Sequence, residues 1–451
     1  MSDTGLQQAR DKMAAEGVDP VAIEVFAHYY RLVESGETGM VPESTIEPID
    51  IPALSDVEVS EDAARDALAG TVVIKLNGGL GTSMGLDRAK SLLPVRDGLT
   101  FLDIIARQVL ALRKRYDARL PLVLMDSFRT REDTLAALAP YGDLAVDGLP
   151  LDFLQNKEPK LRSDDLTPVS WPADPSLEWC PPGHGDLYTA LRGTGILKQL
   201  LDAGYERAFV SNSDNLGAVP DARVAGWFAQ SGAPFAMEAV RRTESDRKGG
   251  HLARRTSDGR AVLRETAQTL PEDLEALADL ARHRFANTNN LWFDLAAVDA
   301  ELDKRDGVLG LSLIKNTKTV DPSDPTSPEV IQVETAMGAA IEVFDGATAI
   351  EVGRNRFVPV KTTNDLLVLR SDCYRLDDDY VLHQVSDAIP FVDLDKPYKL
   401  VGGFEERFPE GAPSLKDATR LVVKGDWIFG PGYVVKGDVV IEAEGSPGRV
   451  G

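Results

Sequence analysis

The chain has 451 residues, with 49 basic against 72 acidic side chains and a formal net charge of −23. That length exceeds the roughly 250–300 residues at which one hydrophobic core stops growing, so two or three domains are expected. With 43% hydrophobic and 7% aromatic residues the composition excludes a disordered chain, and the acidic surface disfavours nucleic acid or an anionic membrane as partner. Met1–Lys12 carries no apolar core behind basic residues, so no signal peptide is expected, and no apolar run approaches the ~18 residues of a membrane span. Two cysteines, Cys180 and Cys373, make no disulfide framework and point to reduced thiols in a cytosol.

In chain order, residues 1 to about 45 read as helical, with Val21, Ile23, Val25, Phe26, Tyr29, Tyr30 and Leu32 on a crowded apolar side. A link rich in proline and acids, Val41 to Val59, follows. From Thr71 to about Leu369 strands and helices alternate. Thr71–Ile74, Leu120–Met125, Arg207–Ser211 and Phe235–Val240 read as buried strands, Phe101, Ile105, Val109 and Leu112 as a helix face, and Leu187–Leu201 as a helix. The alternation argues for an α/β fold, a mainly parallel sheet with helices on both faces. After about Asp387 short valine-rich pieces recur with a Lys-Gly pair each. The offset from Lys424 to Lys436 is twelve residues, which suits two hexapeptide coils of a β-helix and equally an ordinary hairpin.

The stretch Lys75-Leu76-Asn77-Gly78-Gly79-Leu80-Gly81-Thr82-Ser83-Met84-Gly85, with Lys90-Ser91 beyond it, carries the most information. A buried strand that enters a glycine-dense turn can wrap backbone amides around phosphates, and a lysine adds a mobile cation. A surface turn without ligand is the plainer reading. A P-loop is excluded, since Ala89 stands where glycine must precede Lys-Ser. A dinucleotide fingerprint is excluded as well, since Met84 stands where the third glycine belongs.

Other segments bear on chemistry. Asp186 ends Pro181-Pro182-Gly183-His184-Gly185-Asp186 at the N-cap position of the next helix, whose amides could face an anion or merely be capped. Asp214, in Ser211-Asn212-Ser213-Asp214-Asn215, falls at the carboxyl end of a strand, where ligands of open α/β sheets bind. A carboxylate there suits Mg²⁺, and an Asx turn closing the strand fits the same residues. Lys361, in Val358-Pro359-Val360-Lys361-Thr362-Thr363, reads alone as a solvated lysine.

Together these motifs resemble the UTP–glucose-1-phosphate uridylyltransferases of the eukaryotic type, over roughly residues 60 to 440. The loop follows the family spacing throughout and departs at Arg88-Ala89, where the family often has Gly-Pro. The related UDP-N-acetylhexosamine pyrophosphorylases differ, because their loop carries Ala-Gly-Gly-Gln-Gly-Thr-Arg where this chain has Asn77, Leu80 and Ser83. The resemblance implies a Rossmann-like nucleotidyltransferase domain over residues 60–386, behind an N-terminal helical segment and linker over 1–59. A small left-handed β-helix domain is implied over 387–451.

The resemblance further implies uridylyl transfer from UTP to glucose 1-phosphate, with Mg²⁺ on Asp214 and with Lys90 and Lys361 in the chemistry. Leu76, Asn77, Gly78, Gly79, Gly81, Thr82, Gln155 and Gly183 are then the expected UTP contacts. His184, Asn212, Gly250, Asn289 and Glu334 are the expected contacts of the sugar phosphate. The expected partners are these small molecules, with no nucleic acid or membrane, in a cytoplasmic monomer or homo-oligomer.

Overall fold

The computed structural model describes residues 2–247, 249–442 and 448–450. The chain divides into two compact units: Met1–Ile74, Asp147–Val210 and Ala222–Val352 form one, and Lys75–Val146, Ser211–Asp221 and Gly353–Gly451 form the other. Each is an α/β assembly.

In the first unit the strand Phe285–Asp294 is central. It pairs antiparallel with Arg207–Asn212 on one side and with Phe235–Arg241 on the other, so those two flanking strands run in the same direction. The helix Ala222–Ser231 joins them, as a crossover between parallel strands requires. Phe235–Arg241 also pairs parallel with Thr348–Glu351, whereas the hairpin His251–Arg255/Ala261–Arg264 is antiparallel. The sheet is therefore mixed here rather than mainly parallel, because one long strand is inserted into a βαβ unit. Trp292 and Phe209 fill the core on one face of these strands, against Phe228 of the helix Ala222–Ser231, and Phe293 and Phe235 fill it on the other, against Tyr188 and Phe344.

The N-terminal residues form two helices, Ser2–Ala15 and Pro20–Glu34, with Asp19 capping the second through the Val21 N–H. Phe26, Tyr29 and Tyr30 are buried as the periodicity requires, and the Tyr29 hydroxyl donates to the Leu311 carbonyl at 2.9 Å. The expected helix Leu187–Leu201 is two helices, Leu187–Gly193 and Ile196–Asp202. Gly195 between them has φ 77°, a left-handed conformation that stops the first helix.

In the second unit the strand Leu122–Asp126 is wholly buried, and the helix Phe101–Tyr116 starts at a reciprocal Thr100/Asp103 capping box. At its C-terminal end Phe391–Leu394, Ser414–Val423 and Val434–Ile441 form a parallel sheet. Leu421 faces Val439 and Val422 faces Val440, an offset of 18 residues between the paired strands. Lys424 and Lys436 are consequently not equivalent positions of successive coils: Lys436 faces Asp417. Of the cysteines, Cys180 and Cys373 are free and buried. No helix among the described residues is long and apolar enough to cross a membrane.

Candidate active site

The glycine-rich loop of the second unit is held from beneath by a buried polar network. Lys75, 1% exposed, donates from Nζ to Ser211 Oγ and to the Ala218 carbonyl, both at 2.7 Å. Those bonds make a lysine tolerable inside a strand. Asn77 Nδ2 donates to Asp126 Oδ1 at 2.7 Å and to Thr134 Oγ1 at 2.9 Å, so this side chain serves the scaffold and leaves only the main chain to face a ligand. Ser127 Oγ donates to the Gly78 carbonyl at 3.0 Å, and the Lys90 N–H to the Gly79 carbonyl at 3.1 Å. Gly81 has φ 65°, and a Cβ there would stand 3.3 Å from Lys90 Cγ. Glycine thus lets the loop turn left-handed while the lysine stem passes close by. Leu76 and Gly78 are half-buried, and Gly79 and Thr82 are exposed.

Beside this loop Lys90 Nζ lies 2.7 Å from Asp214 Oδ2, with side chains 16% and 19% exposed. The same ammonium donates to the Val360 carbonyl, so Lys361 follows directly on a residue that Lys90 touches. Asn215 ties the two segments together. Its Oδ1 accepts the Val358 N–H at 2.9 Å, its Nδ2 donates to the Arg356 carbonyl at 3.1 Å, and the Val360 N–H reaches the Asp214 carbonyl at 3.2 Å. Lys361 is exposed and lines a cleft of about 600 Å³ with Ser83, Met84, Thr362, Lys396 and Lys399. Asn212 is half-buried at the strand end, its carbonyl accepting the Asn215 N–H. Lys90, Asp214 and Lys361, far apart in sequence, are brought together.

In the first unit the hexapeptide turn is stitched to the end of the strand Glu329–Thr335. The Thr335 N–H donates to the Pro182 carbonyl at 3.0 Å, and the Met337 N–H to His184 Nδ1 at 3.0 Å. A Cβ on Gly183, φ 78°, would stand 2.5 Å from the Thr335 carbonyl oxygen and 3.1 Å from Glu334 Cβ. Gly183, His184 and Glu334 therefore form one cluster. Burial depresses the His184 imidazole to about 4, so it is neutral near pH 7 with Nδ1 as acceptor. Lys318 Nζ lies 3.9 Å from Glu334 Oε1.

Asn289 sits in a β-bulge, where Glu238 faces Asn290 and Ala239 faces Asn287, and it takes φ 57°. Its Oδ1 accepts Asn287 Nδ2 at 2.7 Å, and that same nitrogen lies 3.1 Å from an ideal Cβ on Gly338. The bulge thus adjoins the segment that holds His184. His251 pairs with Ala286, and Gly250 just before it is half-buried, a Cβ there standing 3.1 Å from the Arg264 carbonyl oxygen. Gln155 is half-buried and directly precedes Asn156, which is bonded to Asp186.

Asp186 corrects the sequence reading. Its side chain does not cap the helix; its Oδ2 accepts the Asn156 N–H at 2.6 Å and its Oδ1 accepts Asn156 Nδ2 at 2.8 Å. Burial pushes this carboxyl up to about 7, against the pull of the two Asn156 donors. The scaffold residues Lys75, Asp126 and Asn215 were also not singled out. A lysine within the apolar run Thr71–Leu76 was the one signal available.

A strand-borne glycine loop, a lysine–aspartate pair and a second lysine, carried on mixed α/β units, define a phosphate-handling protein of the nucleotidyltransferase class. The family model of UTP–glucose-1-phosphate uridylyltransferase matches residues 23–436. A relative of that name from Solanum tuberosum is 37% identical over 447 residues, covering 96% of this chain and 91% of the relative. A solved UDP-glucose phosphorylase from Trypanosoma brucei superposes with a TM-score of 0.93 at 42% identity, covering 99% of this chain and 97% of that one. A mutant of UDP-glucose pyrophosphorylase from Leishmania major, solved in complex with UDP-glucose, gives a TM-score of 0.93 at 44% identity, with 99% and 97% covered. The chain belongs to the UTP–glucose-1-phosphate uridylyltransferase family and is an enzyme of it.

Proposed function

We propose that this chain catalyses reversible uridylyl transfer from UTP to glucose 1-phosphate, giving UDP-glucose and pyrophosphate. The observation that carries the reading is the convergence of Lys90, Asp214 and Lys361 at the glycine loop, within a chain related to uridylyltransferases along most of its length. A sugar phosphate near neutral pH is mostly dianionic, its second pKa being ~6, so its oxygen attacks without a general base. That oxygen bonds to the α-phosphorus of UTP as the bond to the bridging oxygen breaks, and pyrophosphate leaves with the electron pair. The enzyme's task is alignment and charge neutralisation. Lys90 and Lys361 supply cations, and the amides of Gly78, Gly79, Gly81 and Thr82 hold phosphate oxygens. His184, neutral and already accepting the Met337 N–H, serves as a contact of the sugar phosphate and not as a base.

The donor set fits Mg²⁺. Asp214 is a single half-buried carboxylate, and among the described residues no three His, Cys, Asp or Glu gather to hold a metal. Mg²⁺ takes one or two protein carboxylates and completes its shell with phosphate oxygens and water. Asp214 would hold it, and when bound it supplies Lewis-acid neutralisation of phosphate charge. In this reading Gln155 and Gly183 read the uracil, and Leu76 and the Asn77 main chain are UTP contacts of the glycine loop. Asn212, Gly250, Asn289 and Glu334 face the hexose phosphate.

The three-part division at residues 59 and 386, a left-handed β-helix built on the 18-residue offset, and a cytoplasmic setting belong to the same proposal. The test is pyrophosphate release with UTP and a panel of sugar 1-phosphates, with and without Mg²⁺. Release with glucose 1-phosphate, lost without the metal, is expected. No release with any sugar overturns the reading.

A further inference from the structure

Two segments of the first unit meet at one buried carboxylate. Asp186 is 4% exposed, and both its oxygens accept from Asn156, one from the main-chain N–H at 2.6 Å and one from Nδ2 at 2.8 Å. Asn156 directly follows Gln155, and Asp186 ends the turn that carries Gly183 and His184. That turn is independently anchored by the Thr335–Pro182 and Met337–His184 bonds and by the tight fit of Gly183. The Gln155 loop meets this turn at two points: through Asp186 at Asn156 itself, and two residues further on through the antiparallel pairing of Glu158–Pro159 with Trp179–Cys180, so Asp186 is the tie that acts next to Gln155.

We propose that Asp186 is a positioning residue for nucleobase recognition, fixing the Gln155 loop against the Gly183–His184 turn; this rests on the uridylyl-transfer reading above. A carboxylate here is costly for the fold. It caps no helix, no cation pairs with it among the described residues, and Glu158, itself pushed well above the usual range by burial, by Asp186 and by Glu334, lies close by. A carboxylate retained under those conditions does something an apolar residue could not. It accepts two donors from one residue at once, through two oxygens fixed in one plane, and so sets the position and orientation of the peptide next to Gln155. Burial raises this carboxyl to about 7 and the two Asn156 donors oppose the rise, so the two-acceptor anion gains ground as pH rises above that value.

The test compares wild type with Asp186→Ala, Asp186→Asn and Asn156→Ala in initial-rate kinetics with UTP, CTP and glucose 1-phosphate, alongside calorimetric UTP binding and thermal melts. Asp186→Ala is expected to raise the KM for UTP about tenfold and to lower discrimination between UTP and CTP by a similar factor, with kcat and the KM for glucose 1-phosphate within about threefold. Asp186→Asn keeps one acceptor and should fall between wild type and Asp186→Ala. Asn156→Ala, which removes one donor without touching the buried carboxylate, should move the KM for UTP the same way by a few-fold, and it decides the matter if Asp186→Ala does not fold. A lowered melting temperature with unchanged UTP affinity and unchanged base discrimination would overturn the proposal. A loss of kcat alone would do the same. The calorimetric arm needs no turnover, so an inactive wild type that binds UTP would sink the transfer reading while the tie to Gln155 is still decided by affinity.

Discussion

At the residue scale the two cations of the proposed site differ in their surroundings. Lys90 is committed to Asp214 and the Val360 carbonyl, whereas Lys361 is exposed at the mouth of the cleft. In the proposed transfer Lys361, the more exposed of the two, follows the charge that develops, and Lys361→Ala should lower kcat about 100-fold or more while moving the KM for UTP less than about threefold. Near-normal turnover in that variant would remove Lys361 from the chemistry. His184 leads to a prediction about pH and stability. Its folded value of about 4 lies below the ordinary ~6.5, so between those values the unfolded chain takes up the proton first and folding is weakened as pH falls. Asp186 works the other way, its raised value favouring the protonated fold as pH falls below about 7. Thermal melts of wild type and His184→Gln from pH 7 to pH 4 should therefore diverge, with the variant losing less stability on acidification. Parallel curves would count against a neutral, buried imidazole.

At the scale of elements, the reading from sequence succeeded where a local pattern dictates the outcome. Thr71–Leu76 is a buried strand because its apolar run suits a buried sheet, and Phe101, Ile105 and Val109 are buried on one helix face as their spacing requires. It failed where a single residue or a distant strand decides. Gly195 splits one expected helix into two, and insertion of Phe285–Asp294 between Arg207–Asn212 and Phe235–Arg241 makes the sheet mixed. The site shows the same contrast: the glycine loop was legible, but the bonds from Asn215 to Val358 and from Asp186 to Asn156 join residues far apart in sequence. The tight turn at Gly183 offers a test at this scale. Gly183→Ala sets a Cβ 2.5 Å from the Thr335 carbonyl at a left-handed φ, a cost of roughly 1–3 kcal/mol in strain alone. A melting temperature several degrees lower, with weakened UTP binding, is expected; an unchanged melt would show that the turn is not held against Thr335 as described.

At the scale of the whole molecule, a charge of −23 means that the anionic substrates of the proposed transfer must be drawn in by local lysines and amides against the overall field. Within the second unit Asp372 is one of the carboxylates that fasten the C-terminal sheet. Asp372 accepts Ser414 Oγ at 2.6 Å, the Leu415 N–H at 2.8 Å and the Lys416 N–H at 3.0 Å. Burial alone would raise this carboxyl, and the three donors instead hold it below the usual aspartate range. Its contribution to stability is therefore present above ~4 and lost as pH falls through the lower folded value. Asp372→Ala should lower the melting temperature by several degrees at pH 7, with the gap to wild type closing in strong acid. A gap independent of pH would locate the loss elsewhere than in the ionised carboxylate.

The most direct measurement of the central claim is the reaction run backwards. Incubation of the purified chain with UDP-glucose, pyrophosphate and Mg²⁺ should yield UTP and glucose 1-phosphate in equal amounts, with no product when pyrophosphate is left out. Formation of UMP or UDP instead, or of no product at all, would contradict uridylyl transfer at the Lys90–Asp214–Lys361 site.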